Sequence, residues 1–258
     1  MPLLLIAGAA ATLGLAVGSF LNVVAYRVPR GESVVTPASA CPACGTQIRA
    51  RHNVPVAGWL VLRGSCFDCA EPISVRYPLI EAGTGLLFAA AAVRFGDNLW
   101  LLPAYLCFAA VAIALALIDL DVRRLPNAIV LPSYVVLGVL LALDGDPSAL
   151  LRAALGAAVL FAFYLAIAML AAGAMGFGDV KLAGVVGGMT AYLSWGTLLT
   201  GAFLGFFLGA VAGVLLIAVR RAGRRSAVPF GPFMLLGAWT AVLGAGYIGD
   251  HYLALLAA

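Results

Sequence analysis

The chain has 258 residues, of which 64% are hydrophobic and 10% charged, with a formal net charge of +4 and a mean hydropathy of +1.09. Soluble domains carry about 25% charged residues, so the composition excludes an ordinary soluble globular fold. Apolar runs of roughly 20 residues, the length that crosses a ~30 Å hydrocarbon core, and thirty glycines that suit close helix packing predict an all-α polytopic membrane protein.

In chain order, the hydropathy pattern predicts about eight transmembrane helices, near 3–26, 77–95, 99–118, 126–143, 149–172, 179–194, 196–219 and 231–256. The first lacks the basic n-region and cleavage site of a signal peptide, and reads as a retained span with its N-terminus outside. Ser194-Trp195-Gly196 is a weak break in an almost continuous apolar stretch, so seven spans is the alternative count. Basic residues concentrate in alternate loops. Arg27, Arg30, Arg49, Arg51, Arg63 and Arg76 lie in the first, Arg123 and Arg124 in another, Lys181 beside a third, and Arg220, Arg221, Arg224 and Arg225 further on. Only Arg94 and Arg152 fall on the opposite side. The positive-inside rule makes the basic loops cytoplasmic, so the net charge reports topology and does not argue for nucleic acid as a partner.

The domain organisation expected from this pattern is a first helix over 1–26, a polar cytoplasmic domain over 27–77 and a membrane core over 78–258. The polar segment, of about 50 residues, is near the size at which a metal or disulfide usually assists folding. It contains Cys41-Pro42-Ala43-Cys44 and Cys66-Phe67-Asp68-Cys69, two C-x-x-C knuckles separated by 21 residues. Such spacing approximates a four-thiolate zinc site, and reduced cytoplasmic thiols favour metal over disulfides. Four thiolates leave no open position, so the zinc is expected to be structural. Two local disulfides, a redox-active pair and a site that has lost its metal are the alternatives. Cys107 stands alone in an apolar span and reads as packing. No internal repeat is visible.

Ionisable residues near membrane depth are costly and commonly functional. Asp119 and Asp121 close the third span, in Ile118-Asp119-Leu120-Asp121, and Asp179 opens the sixth, in Gly176-Phe177-Gly178-Asp179-Val180-Lys181. The expected topology places both segments on the cytoplasmic side, so carboxylates sixty positions apart in sequence can meet. Two carboxylates sharing a site divide into one ionised and one protonated group. The ionised member can activate water against a peptide carbonyl while the other polarises it and protonates the leaving amine. Gly176 and Gly178 would permit irregular backbone and the close approach of an extended substrate. As alternatives, Asp119 or Asp121 pairs with Arg123 or Arg124 in a solvated loop, and Asp179 caps a helix beside Lys181.

Taken together, these residues resemble the bacterial type IV prepilin peptidases, a G-x-G-D aspartyl protease family. The resemblance covers nearly the whole chain. It rests on Gly18-Ser19-Phe20-Leu21-Asn22 followed by Arg27-Val28-Pro29, the cysteine loop with Asn53-Val54-Pro55 and Arg76-Tyr77-Pro78 through Glu81, the Asp119 stretch ending Leu125-Pro126-Asn127, the Asp179 motif, and Pro229-Phe230-Gly231-Pro232-Phe233. It implies cleavage of the basic leader of prepilins or pseudopilins after a glycine, then N-methylation of the new terminus from S-adenosylmethionine. It implies Asp119 and Asp179 as the catalytic pair, Asp121 as an accessory acid with Gly176, Gly178 and Lys181 in support, and an inner-membrane location with zinc loop and active site facing the cytoplasm. No soluble-type Rossmann unit marks a methyl-donor site, for which Glu81 is a candidate polar contributor. Nothing in the sequence specifies an oligomeric state. A transporter would place its acids deep within spans or show paired repeats, a zinc scaffold would leave both aspartates without a role, and a presenilin-like protease lacks the tetracysteine loop.

Overall fold

The computed structural model describes residues 2–170, 175–219 and 229–256. Arg220, Arg221, Arg224 and Arg225, counted above as a basic loop, lie outside the described residues. Among those described, the backbone is helical, with no strand beyond two isolated bridges. In order the helices are α1 (Pro2–Arg27), α2 (Ala57–Val61), α3 (Arg76–Phe95), α4 (Leu102–Val122), α5 (Asn127–Ala142), α6 (Pro147–Leu170), α7 (Phe177–Leu193), α8 (Trp195–Ala218), α9 (Gly231–Thr240) and α10 (Gly246–Leu256). A wider turn over Ala241–Ala245 joins the last two into one apolar run, Gly231–Leu256.

Six of these segments are long and apolar enough to cross a membrane. The helices at the fourth and sixth expected spans are shorter. At ~1.5 Å per residue, α5 is about 24 Å long and α7 about 26 Å, less than the ~30 Å core. The weak break at Ser194 is a true helix boundary, because its side chain accepts a hydrogen bond from the Thr197 amide at 2.9 Å and caps α8. The third helix extends past the expected end at 118, so Asp119 and Asp121 belong to its last turn. Arg123 then adopts a left-handed φ of 53° while its amide still bonds to the Asp119 carbonyl, which ends the helix.

The chain divides into two compact units, Met1–Leu102 and Pro103–Ala258. In the first, α1 packs on α3. The buried residues of α1 (Ala10, Gly14, Gly18, Leu21, Val24, Ala25) form one stripe, and Leu13 and Phe20 on its other faces are exposed. A helix apolar all round but packed on one face is what lipid permits, since hydrocarbon solvates Leu as well as a protein core does. The cysteine loop belongs to this unit.

In the second unit α7 is the central element, buried along nearly its whole length from Val180 to Tyr192. It lies against the α6 stripe Ala149, Ala153, Gly156, Leu160 and Tyr164. The approach is close, since a Cβ on Gly187 would meet the Gly156 carbonyl and would lie 2.8 Å from Leu160 Cβ. Polar side chains close the helix ends. Arg152 of α6 donates to the carbonyls of Ala191 (2.7 Å), Leu193 (3.2 Å) and Tyr192, capping α7. Asp146 accepts from the amides of Ser148 (2.9 Å) and Ala149 (3.0 Å) at the start of α6. Those bonds, that of the Ser148 hydroxyl first, hold its carboxyl below the usual range. Asp250 of α10 accepts from Ser194 Oγ (2.9 Å) and the Gly196 amide (3.2 Å) at the start of α8.

Replacing Gly187 with Leu is expected to lower stability by about 1–3 kcal/mol or more through overpacking. Gly138→Ala in α5, where a Cβ meets nothing within 4 Å, is expected to be neutral or to stabilise by up to ~1 kcal/mol. Thermal unfolding of the two purified variants in detergent separates these outcomes, and equal midpoints would contradict this packing.

Candidate metal and acidic sites

The sulfurs of Cys41, Cys44, Cys66 and Cys69 all lie within 4.8 Å of one another, and those of Cys41 and Cys69 are 3.7 Å apart. Four sulfurs at ~2.3 Å from a tetrahedral ion are ~3.8 Å from each other, so the cluster has the dimensions of a four-thiolate site and can hold a metal ion. Two backbone hairpins build it, and they are equivalent. In the first, the Cys41 amide bonds to the Thr46 carbonyl, Gly45 to Cys41 and Ile48 to Ser39. In the second, at an offset of 25 residues throughout, Cys66 bonds to Glu71, Ala70 to Cys66 and Ile73 to Gly64. A single bridge closes each, Ala40 to Gln47 and Ser65 to Pro72. The structure thus contains a short internal repeat that the side chains, apart from the cysteines, do not advertise. Each hairpin turns through a left-handed residue, Gly45 at φ 71° and Ala70 at φ 60°. Hydrogen bonds from Thr46 bring the Cys44 thiol down to about 7, while Cys69, crowded by the other three thiols, is pushed up to about 12.

Glu81, on α3 of the same unit, is 8% exposed, and its Oε2 accepts the Val56 amide at 2.7 Å. Val56 has φ 60° and ψ −53°, while Ala57 donates to the Pro55 carbonyl across it at 2.6 Å. This is a γ-turn in its rare form, strained for a β-branched residue. The observed role of Glu81 is to hold that turn, and with it the start of α2, on α3.

The second unit brings together three segments distant in sequence. Asp119, 5% exposed, ends α4, and its Oδ2 accepts the Gly231 amide at 3.1 Å. Gly231 begins α9 after Phe230. A side chain there would crowd the carboxylate, because a Cβ would lie 2.9 Å from Oδ2. Asp179 lies in the first turn of α7, and the Asp119 carboxylate is within electrostatic reach of it. Its Oδ1 is buried and bonds to no protein group. Leu125 of the Leu125-Pro126-Asn127 step fills the space between. It would lie 3.0 Å from a Cβ on Gly178 and 3.6 Å from one on Gly231. Leu125, Gly178 and Gly231 therefore form one contact, from three of the sequence signatures.

Asp121 is exposed two residues beyond Asp119. Gly176 precedes α7, and a Cβ there would come to 3.3 Å from Asp179 Oδ2. Lys181 donates to Asn127 Oδ1 at 2.9 Å and lies over the Phe177 ring at 4.9 Å, so it ties α7 to the start of α5. Beside it, a cavity of about 420 Å³ is lined by Leu131, Tyr134, Ala157, Phe161, Phe177 and Lys181. Sequence reasoning did not single out Tyr164. It is fully buried, yet its hydroxyl bonds to no protein group and is in electrostatic reach of Asp179. A tyrosine in an apolar helix reads as core, and no local pattern distinguishes this one.

Comparison with known proteins matches two family models, the bacterial peptidase A24 N-terminal domain over residues 12–95 and the type IV leader peptidase family over residues 106–219. Several curated proteins named prepilin leader peptidase/N-methyltransferase are similar. One from Myxococcus xanthus is 43% identical over 83% of this chain and 64% of its own length. One from Pseudomonas putida is 38% identical over 91% of this chain and 89% of its own, and one from Neisseria gonorrhoeae 37% identical over 89% and 87%. No solved structure matches significantly.

Two substitutions test the metal centre by metal content and thermal midpoint. Cys66→Ser is expected to release bound metal and lower the midpoint, while Ala70→Gly is expected to retain metal and gain up to ~1 kcal/mol by relieving the left-handed strain. A loss of metal in the Ala70→Gly protein would show that the hairpin geometry is wrong.

Proposed function

Because the chain belongs to the type IV leader peptidase family, we propose that it removes the basic leader of prepilins or pseudopilins after a glycine, using Asp119 and Asp179 as an aspartyl dyad. It then methylates the new N-terminus. The observation that carries this reading is the convergence of the two carboxylates, within electrostatic reach of one another although sixty residues apart. A buried and a half-buried carboxylate sharing a site hold one proton between them, which belongs to the pair rather than to either residue. The ionised member takes a proton from water as the oxygen attacks the scissile carbonyl. The protonated member hydrogen-bonds to that carbonyl and then donates to the departing amine, completing hydrolysis.

The surroundings are consistent with these roles. The Gly231 amide, fixed on Asp119, orients one carboxylate, while exposed Gly176 allows an extended backbone to approach the other and Gly178 receives Leu125. Lys181 anchors the start of α7 through Asn127, and Asp121 stands as an accessory acid at the exposed edge. The apolar cavity ending at Phe177 and Lys181 suits the hydrophobic segment that follows a leader. In this reading the four cysteines hold a structural Zn²⁺, the methyl donor is S-adenosylmethionine, and the enzyme sits in the inner membrane with the dyad and the metal loop facing the cytoplasm.

Cleavage of a model prepilin by purified protein in detergent tests the assignment. Asp119→Ala and Asp179→Ala are each expected to lose about 10²–10⁴-fold in rate, while Asp121→Ala keeps most of it. Gly231→Ala is expected to lose cleavage with metal content unchanged, because its methyl displaces the Asp119 carboxylate. Wild-type cleavage by Asp119→Ala together with loss in Asp121→Ala would move the dyad by two residues; undiminished cleavage by all the aspartate variants would remove the aspartyl mechanism.

A further inference from the structure

Among the described residues, three buried side-chain atoms make no hydrogen bond: Tyr164 Oη, Asp179 Oδ1 and Trp239 Nε1. The last belongs to a ring stacked on Phe108, with centroids 5.4 Å apart. The first two are complementary, one a donor and the other an acceptor, and the Asp179 carboxylate is within electrostatic reach of the tyrosine. Leaving either group buried and unpaired is unfavourable, and α6 and α7 carry both to the same end of their antiparallel contact.

The ring of Tyr164 is held on several sides. Phe206 lies at 5.2 Å, Phe163 at 5.7 Å and Phe230 at 6.0 Å, centroid to centroid. Phe230 in turn packs on Phe206 at 5.2 Å and immediately precedes Gly231, the residue whose amide bonds to Asp119. Tyr164 therefore packs against the segment that orients one carboxylate, and its hydroxyl lies within electrostatic reach of the other. Asp119 already has a fixed donor on Oδ2. Asp179 Oδ1 has none, and the nearby cation Lys181 is engaged by Asn127.

We propose that Tyr164 is a positioning residue for the Asp179 carboxylate, its hydroxyl donating to Oδ1 directly or through one water and so orienting the carboxylate opposite Asp119. The inference rests on the dyad assigned above, in which Asp179 touches the reacting water or carbonyl and Tyr164 acts through it. Its effect falls on the orientation of a reacting group, not on substrate binding, so the rate constant and the Michaelis constant separate.

The test uses full-length protein in detergent with a model prepilin. Tyr164→Phe removes one oxygen and keeps the ring in its aromatic cluster. It is expected to lower kcat at least tenfold with KM within twofold of wild type and metal content unchanged. A double-mutant cycle of thermal midpoints with Asp179→Asn provides a readout that needs no activity, and the two substitutions are expected to be non-additive. A kcat within twofold of wild type, or additive midpoints, would overturn the assignment. Asp179→Asn alone distinguishes the two levels of the argument. If it is inactive while Tyr164→Phe cleaves normally, only the tyrosine inference fails; if it cleaves at the wild-type rate, the dyad itself fails and the tyrosine inference falls with it.

Discussion

The hydrogen bond from the Gly231 amide to Asp119 Oδ2 joins residues 112 positions apart, and a side chain at the donor would crowd the carboxylate. That constraint organises the second unit. For the amide to reach the carboxylate, α4 must carry Asp119 to its final turn, α9 must begin at Gly231, and the chain between α4 and α5 must lay Leu125 against both Gly231 and Gly178. Once Leu125 is in place, the start of α7 follows, and with it Asp179. Membrane helices gain little from mutual apolar burial, because lipid solvates them equally well. Contacts of small residues and a few polar bonds therefore have an unusually large share in fixing where these helices meet.

The polar residues of the second unit fall into two groups by what satisfies them. Asp146, Asp250 and Arg152 each complete a helix terminus, where exposed amides or carbonyls need a partner. Their charges are spent on the backbone. Asp179 is different, because one carboxylate oxygen remains buried without such a partner. Buried polar atoms are normally satisfied, and of the three exceptions among the described residues this one lies beside the second carboxylate. This contrast supports the chemical reading of the pair, which the convergence of the two carboxylates carries.

Much of this was legible in the sequence, for identifiable reasons. Hydropathy over some twenty residues is a long signal, and it placed the helices well, apart from the shorter α5 and α7. The cysteine spacing was sufficient because a C-x-x-C turn forms its own local geometry. By contrast, Asp119 and Asp121 are indistinguishable by spacing, yet two residues on a helix face nearly opposite directions, and one is buried while the other is exposed. The γ-turn at Val56 that Glu81 holds, the repeat between the two hairpins and the position of Tyr164 were not legible. Each depends on backbone bonds or on contacts between segments whose sequences carry no mark of one another.

The three carbonyls gathered by Arg152 bear on how charge reports orientation. An arginine committed to a helix C-terminus is compensated by the partial negative charge there, and its fork is held by Ala191, Tyr192 and Leu193. Such a residue contributes little free charge to the surface of its loop. Arg152 is therefore largely accounted for within the second unit. Neutralising Arg152 would therefore free the last carbonyls of α7 before it altered the charge of any loop, and its effect would fall on the contact between α6 and α7.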